Sequence, residues 1–321
     1  MPTSELLTLI DIGSNAVRCL LVELTPENGF TVLRQERAQT RLGSGCVGEL
    51  SETAVNNTVK VISSFLQEVR QADPTTESIR TVAVATAAVR DATNRNEFLR
   101  RLKREAGISI RVLSGEDEAR LGALAALERL AFRDGVVVDL GGGSLQVSLI
   151  RAGGVHRTAS VPLGAIRTTK RFFKNDPPTK REVLALREEV QNRVRALLPA
   201  TREGKTIVGI GGTVRTLASM QIATLDGPRP SRQGFQLWRS DITRLREQLE
   251  ASSIQERRRL SGLKMERADI ILAGTIVLEE VMALGGYGVL VVCKDGVRHG
   301  LLLHEVYYGG AERGRNSFSQ S

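Results

Sequence analysis

Apolar residues recur along this chain in two ways: short runs with two-residue alternation and longer stretches with helical spacing. Interleaved in this way, they predict an α/β protein. Residues 136–149 (VVVDLGGGSLQVSL) show the first kind most plainly. Val136, Val137 and Val138 are β-branched with little polar surface, so they predict a buried strand. Leu145, Val147 and Leu149 alternate as a half-buried strand does. Between these runs, Gly141, Gly142 and Gly143 can turn the backbone sharply, and Ser144 completes the tip. Residues 6–24 (LLTLIDIGSNAVRCLLVEL) repeat the plan: an apolar run, Asp11, Gly13, a tip of Ser14 and Asn15, then apolar residues again. Two strand–Asp–x–Gly–tip–strand segments predict an internal duplication. A third glycine turn, 207–220 (IVGIGGTVRTLASM), passes from strand to helix, with Gly209, Gly211, Gly212 and Thr213 at the junction.

The same periodicities predict further strands at 30–37, 79–85, 108–113 and 289–293. They predict helices at 52–71, from 116 onward, and at 165–174, 180–198, 264–284 and 301–307. In the 52–71 helix Val55, Val59, Ile62, Leu66 and Val69 share one face, and Ser51 is the N-cap candidate. Gly43, Gly45 and Gly48 fit G-x-G-x-x-G, but Gln39, Thr40 and Arg41 before them are polar, so the dinucleotide-binding context fails. A mobile loop leading to Ser51 is expected there instead. Residues 309–321 are polar and glycine-rich and are expected to fray.

A chain of 321 residues is expected to form two domains. Lys+Arg 45 against Asp+Glu 36 gives +9, which favours a polyanionic partner. Aromatics make up 4% and do not interleave with basic residues, which turns the expectation from nucleic acid toward a phosphate chain. Cys19, Cys46 and Cys293 are scattered without C-x-x-C, as in a reducing compartment. The apolar run 6–10 is too short for a signal peptide and ends at Asp11, and no run approaches bilayer length, so a soluble cytoplasmic protein with no membrane partner is expected.

Glycine tips present backbone N–H groups to a phosphate, and a nearby carboxylate suits a hard cation such as Mg²⁺. Gly13, Ser14, Asn15 and Gly141 to Ser144 are therefore candidate phosphate contacts, and Asp139 and Asp11 candidate metal ligands. Tight hairpins with a capping Asp are the plainer alternative. Gly211, Gly212 and Thr213 would add donors at a helix N-terminus. Arg90 lies just past a strand's carboxyl end, where ligands of α/β folds bind, although a surface ion pair is equally consistent. Glu116, Asp117 and Glu118 open a helix of small residues; one of them could be a general base, and periodicity does not choose among them. Arg167, Lys170, Arg171 and Lys174 recur at three- and four-residue spacing, either a solvated face or a rail for a polyanion. His156, His299 and His304 lack metal-ligand spacing.

Taken together, IDIGSNAVR, TAAVRDATN, SGEDEARLGA, VVDLGGGSLQV, GIGGTVRTLA, RADIILAG and DGVRHGLL resemble the exopolyphosphatase / guanosine pentaphosphate phosphohydrolase (Ppx/GppA) family, in the family's order over residues 6–306. The resemblance implies two actin-like (ASKHA, ribonuclease H-like) domains with mixed sheets flanked by helices and an active site in the interdomain cleft. Here the domains would be 1–125 and 126–297, with a closing helix near 298–310 packing back on the first. The chain resembles the short, two-domain form and stops where longer members continue into a helical region. The resemblance further implies that Glu118 is the catalytic glutamate, that Arg90 joins Gly13, Ser14, Asn15 and Gly141 to Ser144 as a phosphate contact and neutralises charge during the reaction, that Asp139 serves the metal and phosphate site, and that Mg²⁺ or Mn²⁺ is the cofactor. Gln146 departs from the family pattern, which usually has Glu there; an amide carries no negative charge for a cation.

These readings lead to metal-dependent hydrolysis of the terminal phosphoanhydride of inorganic polyphosphate. Two alternatives are removal of the 5′ γ-phosphate of guanosine pentaphosphate, with a purine pocket near 211–215, and a non-catalytic guanosine penta- or tetraphosphate or polyphosphate binder. A kinase on this fold would need an acceptor site that the sequence does not display. A homodimer is the assembly envisaged.

Overall fold

The structure, a computed structural model, describes residues 5–25, 29–44, 48–72, 79–198 and 206–307. In chain order its first elements are β1 (Glu5–Ile12), β2 (Val17–Thr25), β3 (Gly29–Ala38), α1 (Glu52–Ala72), β4 (Arg80–Ala85), α2 (Ala87–Arg90), α3 (Arg95–Ala106) and β5 (Arg111–Val112). There follow α4 (Gly115–Arg129), β6 (Gly135–Leu140), β7 (Leu145–Arg151), β8 (Gly154–Val161), α5 (Ala165–Phe172), α6 (Lys180–Val194), β9 (Thr206–Gly211) and α7 (Gly212–Ile222). The last are β10 (Gln236–Trp238), α8 (Arg239–Glu250), α9 (Ile254–Arg257), α10 (Ile271–Gly285), β11 (Val289–Val292) and α11 (Val297–Tyr307). The chain forms two compact units, one running to Ser114 and resuming at Val297, the other Gly115–Gly296.

Each unit is built on a mixed sheet flanked by helices. In the first, the order is β3-β2-β1-β4-β5, with β1, β2 and β3 antiparallel and β4 and β5 joined in parallel. In the second, the order is β10-β11-β9-β6-β7-β8, with the same antiparallel meander β6, β7, β8 and the same parallel addition of β9 to its first strand. The duplication predicted from the two glycine hairpins thus extends to whole sheets. The division between units precedes α4, whereas the sequence places it after residue 125; the small residues of α4 let it lie close on β6, β7 and β8. α11 packs on β1 in the first unit. The tail at 309–321 lies outside the described residues, as do Gly45 and Cys46.

The first core collects Ile10, Val17, Leu21 and Ala85 from the strands, Ile62, Phe65 and Leu66 from α1, and Phe98 and Leu102 from α3. Ser51 caps α1 as predicted, its hydroxyl accepting from the Ala54 N–H. In the second unit α10 is buried along its length and packs on α5, α6, α7 and α8. Glu279 and Glu280 are buried there against arginines: Arg187 pairs with both, and Arg246 approaches Glu279 at 2.9 Å.

Three predicted boundaries move for local reasons. The 165–174 helix stops at Phe172, because Phe173 is extended and the Lys174 N–H donates to Glu182. The 108–113 strand pairs over Arg111–Val112 alone. The 264–284 helix is a short 3₁₀ turn, Met265–Arg267, followed by α10.

At the start of α6, Thr179 and Glu182 form a capping box. Burial pushes the Glu182 carboxyl up, but the hydrogen bonds from Lys174, Thr179 and Asn175 outweigh it and bring the pKa down to about 2. A carboxyl lowered on folding stabilises above its unfolded pKa and loses that contribution as pH falls through about 2. Glu182→Gln should therefore cost about 1 kcal/mol at neutral pH. The difference from wild type should close on acidification, as followed by urea unfolding at stepped pH.

Candidate phosphate and metal site

The two hairpin tips are built alike. Gly13 N–H donates to Ala16 O at 3.2 Å, and Gly141 N–H donates to Ser144 O at 3.0 Å, closing the same turn one residue past each Asp-x pair. In the second tip, the first N–H groups of α5 hold the carbonyls: Ala165 donates to Gly141 O, and Ile166 and Arg167 donate to Gly142 O. The Arg167 guanidinium takes the third, Nε to Gly143 O at 2.8 Å. A trans peptide directs its N–H opposite its C=O. With three carbonyls tied toward α5, the N–H groups of Gly142, Gly143 and Ser144 point the other way, a set of donors suited to an anion. Gly164 permits this contact, because a Cβ there would lie 2.3 Å from the Gly143 carbonyl carbon.

The first tip is held at matching positions by another segment. Gly43 N–H donates to Ser14 O at 2.7 Å and Arg41 N–H to Asn15 O at 3.1 Å. The loop expected to be mobile therefore includes, at residues 41–43, the back wall of the tip. Only glycine suits position 43, where a Cβ would stand 2.9 Å from Ser14 Cβ.

The aspartates of the two hairpins differ in surroundings. Directly opposed residues of an antiparallel pair share a sheet face. Asp11 opposes Arg18 and pairs with it at 2.9 Å, so its charge is met within the hairpin and the metal role expected of it is not carried further. Asp139 opposes Gln146, which is neutral. Three glycines surround the Asp139 carboxylate: a Cβ would lie 3.5 Å from Oδ2 at Gly122, 3.6 Å from Oδ2 at Gly296, and 3.0 Å from Oδ1 at Gly211. Side chains at these positions would fill the space that a hydrated cation needs.

Among the described residues, no group of three or more His, Cys, Asp or Glu side chains could hold a metal. One carboxylate in a roomy cradle fits Mg²⁺ taken up together with phosphate, since Mg²⁺ keeps several waters and uses one or two carboxylates plus substrate oxygens.

Burial separates the three acidic residues that open α4. Glu116 is exposed and Asp117 half-buried, while Glu118 is 7% exposed. Glu118 is one turn before Gly122, so both project from the face of α4 that meets Asp139. On that sheet face Gln146 is 1% exposed and donates Nε2 to Ser144 Oγ at 2.6 Å and Ser160 Oγ at 3.2 Å. Two strands earlier in register order, Leu140 pairs with Gly211, which ends β9 and caps α7. Thr213, in the first turn of α7, is 1% exposed, and its hydroxyl has no hydrogen-bond partner among the described residues.

The remaining candidates are held in less open ways. Arg90 closes α2, donates Nη1 to Leu113 O at 3.0 Å, and has Asp91 3.6 Å away. Arg167, Lys170 and Arg171 lie on α5, while Lys174 lies beyond its end; Arg171 pairs with Glu189 at 2.8 Å, and Lys174 donates Nζ to Lys170 O. Arg18 and Arg267 are site residues that sequence reading misses. The Arg267 guanidinium occupies the place a Cβ at Gly212 would take, 1.7 Å from Nη2. No helix among the described residues is long and apolar enough to cross a membrane.

Comparison with known proteins agrees with this architecture. The chain is 30% identical over 313 residues to exopolyphosphatase 1 of Mycobacterium leprae, covering 94% of this chain and 89% of the relative. A crystal structure of the Aquifex aeolicus Ppx/GppA family member superimposes with a TM-score of 0.78 at 30% identity, covering 95% and 98% of the two chains. An exopolyphosphatase from Cytophaga hutchinsonii shares the fold at 22% identity, with a TM-score of 0.84 over 94% of this chain and 98% of that one. The profile of the Ppx/GppA phosphatase family matches residues 21–308, and the chain belongs to that family.

Proposed function

We propose that the chain is an exopolyphosphatase, hydrolysing the terminal phosphoanhydride of inorganic polyphosphate and releasing orthophosphate. The observation that carries this reading is the tied-back glycine tip: its carbonyls are secured by α5 and Arg167, and its amides are left for a phosphate beside Asp139. The name of the Mycobacterium leprae relative supports the same substrate. Glu118 accepts a proton from the attacking water as oxygen bonds to the terminal phosphorus. The bond from that phosphorus to the bridging oxygen breaks, and the shortened chain leaves with the electron pair. Amides of Gly142, Gly143 and Ser144 meet the charge that builds on phosphate oxygens, where preorganised donors are most effective. Asp139 would hold Mg²⁺ or Mn²⁺, which when bound neutralises phosphate charge.

The test is orthophosphate release from long-chain polyphosphate with Mg²⁺ or Mn²⁺, with guanosine pentaphosphate run in parallel. Release from the nucleotide alone would replace the substrate; tight binding without release in any divalent metal would make the protein a binder. Gln146→Glu places a second carboxylate opposite Asp139. It should lower the metal concentration for half-maximal rate by about tenfold, the equivalent of one modest added interaction.

A further inference from the structure

Gln39 lies one residue past the end of β3, outside the hairpin, yet its side chain reaches the tip. Its Nε2 donates to Asn15 Oδ1 at 3.3 Å. That contact fixes which way the Asn15 amide faces: Oδ1 is held by Gln39, so Nδ2 is directed elsewhere. Asn15 is 9% exposed, and Nδ2 has no hydrogen-bond partner among the described residues. Next in sequence to Gln39, Thr40 is 4% exposed and its hydroxyl is also without a partner. Arg41 then adopts φ 50°, in the left-handed region that L-residues rarely occupy, as its N–H ties back the Asn15 carbonyl.

A buried donor without an acceptor is costly, so these two groups, on segments joined by the hydrogen bond from the Arg41 N–H to the Asn15 carbonyl, favour an acceptor brought by a ligand. Asn15 Nδ2 can only donate, and a threonine hydroxyl can donate as well. A phosphate oxygen satisfies both.

We propose that Gln39 is a positioning residue for polyphosphate: it holds Asn15 with its amide N–H₂ toward a phosphate oxygen, and the Thr40 hydroxyl donates to the same phosphate. The proposal rests on the reading of the first tip as an anion site. It adds residues that the glycine pattern does not contain, and it assigns the Asn15 orientation to one hydrogen bond. Gln39 itself touches no substrate.

Gln39→Glu and Gln39→Leu separate positioning from packing. Glutamate nearly matches glutamine in shape, so a packing role predicts that Glu is milder than Leu. As a positioning residue, Gln39 predicts the reverse. A carboxylate accepts from Asn15 Nδ2, turns the amide over and presents Oδ1 to the anion, whereas Leu merely releases it. KM for tripolyphosphate should rise about 3- to 10-fold in Gln39→Leu and about 10- to 100-fold in Gln39→Glu, with a smaller effect on kcat. The ratio between the variants should hold when salt is raised to about 0.5 M, where direct repulsion by the new charge is screened. Thr40→Val should raise KM and Thr40→Ser should leave it near the wild-type value; a wild-type KM in Thr40→Val overturns the shared phosphate, whether or not the Gln39 variants fold. A Gln39→Glu KM at or below that of Gln39→Leu, or a ratio that salt removes, overturns the positioning role. Wild-type protein that neither binds nor hydrolyses tripolyphosphate overturns the anion site itself, a result the variants cannot imitate.

Discussion

Glu118→Gln should lower kcat for orthophosphate release from polyphosphate by about 10²–10⁴-fold, the range that a positioned general base supplies. The amide keeps the size and burial of the side chain but cannot accept the water's proton. Polyphosphate affinity, which the proposed function assigns to backbone amides, should change little, so the loss falls on turnover. Glu116→Gln is the matched control, since Glu116 is exposed in the same helical turn. Single-turnover phosphate release compared with equilibrium binding reads both quantities, and a Glu118→Gln protein with wild-type turnover would remove the base assignment.

The second large effect is expected at Gly211. Its φ is 105°, outside the range L-residues adopt readily, and a Cβ would stand 2.3 Å from the Leu140 carbonyl oxygen on the paired strand. That neighbour is backbone in the centre of the sheet and cannot swing aside. Gly211→Ala should therefore cost about 3 kcal/mol or more, because a strained backbone alone accounts for about 1–3 kcal/mol and the collision adds to it. The same Cβ would press on Asp139 Oδ1 at 3.0 Å, so the fraction that folds should also need more divalent metal for half-maximal rate. Gly122→Ala is the milder companion, since its nearest contact, 3.5 Å to Asp139 Oδ2, is ordinary van der Waals distance. Urea unfolding of both variants, with metal titrations of activity, tests the ordering.

Both hairpins are legible because apolar runs on either side of an Asp-x-Gly tip leave few other foldings. Their equivalence predicts a duplication, and the matching sheet orders extend it beyond the hairpins. What stayed illegible depended on contacts between distant residues. Glu118 is distinguished from Glu116 and Asp117 by burial, which helical spacing does not report when small residues line several faces. Arg267 meets Gly212 and Gln39 meets Asn15 across long stretches of chain, and neither pair has a local signature. β8 has no clear sequence signature, because an edge strand with one wet face, GVHRTASV, shows little apolar alternation. The end of the 165–174 helix was set by Glu182 drawing away the Lys174 N–H, a tertiary event.

Securing the glycine-tip carbonyls on α5 also bears on how a polymer would be shortened repeatedly. The receptor for each new terminal group is already shaped before that group arrives, so ordering the loop is charged to folding and not to each encounter. Successive removals from one strand end would then be paced by bond cleavage or by sliding of the strand. Pre-steady-state traces on long substrate should accordingly lack a lag before the first orthophosphate appears.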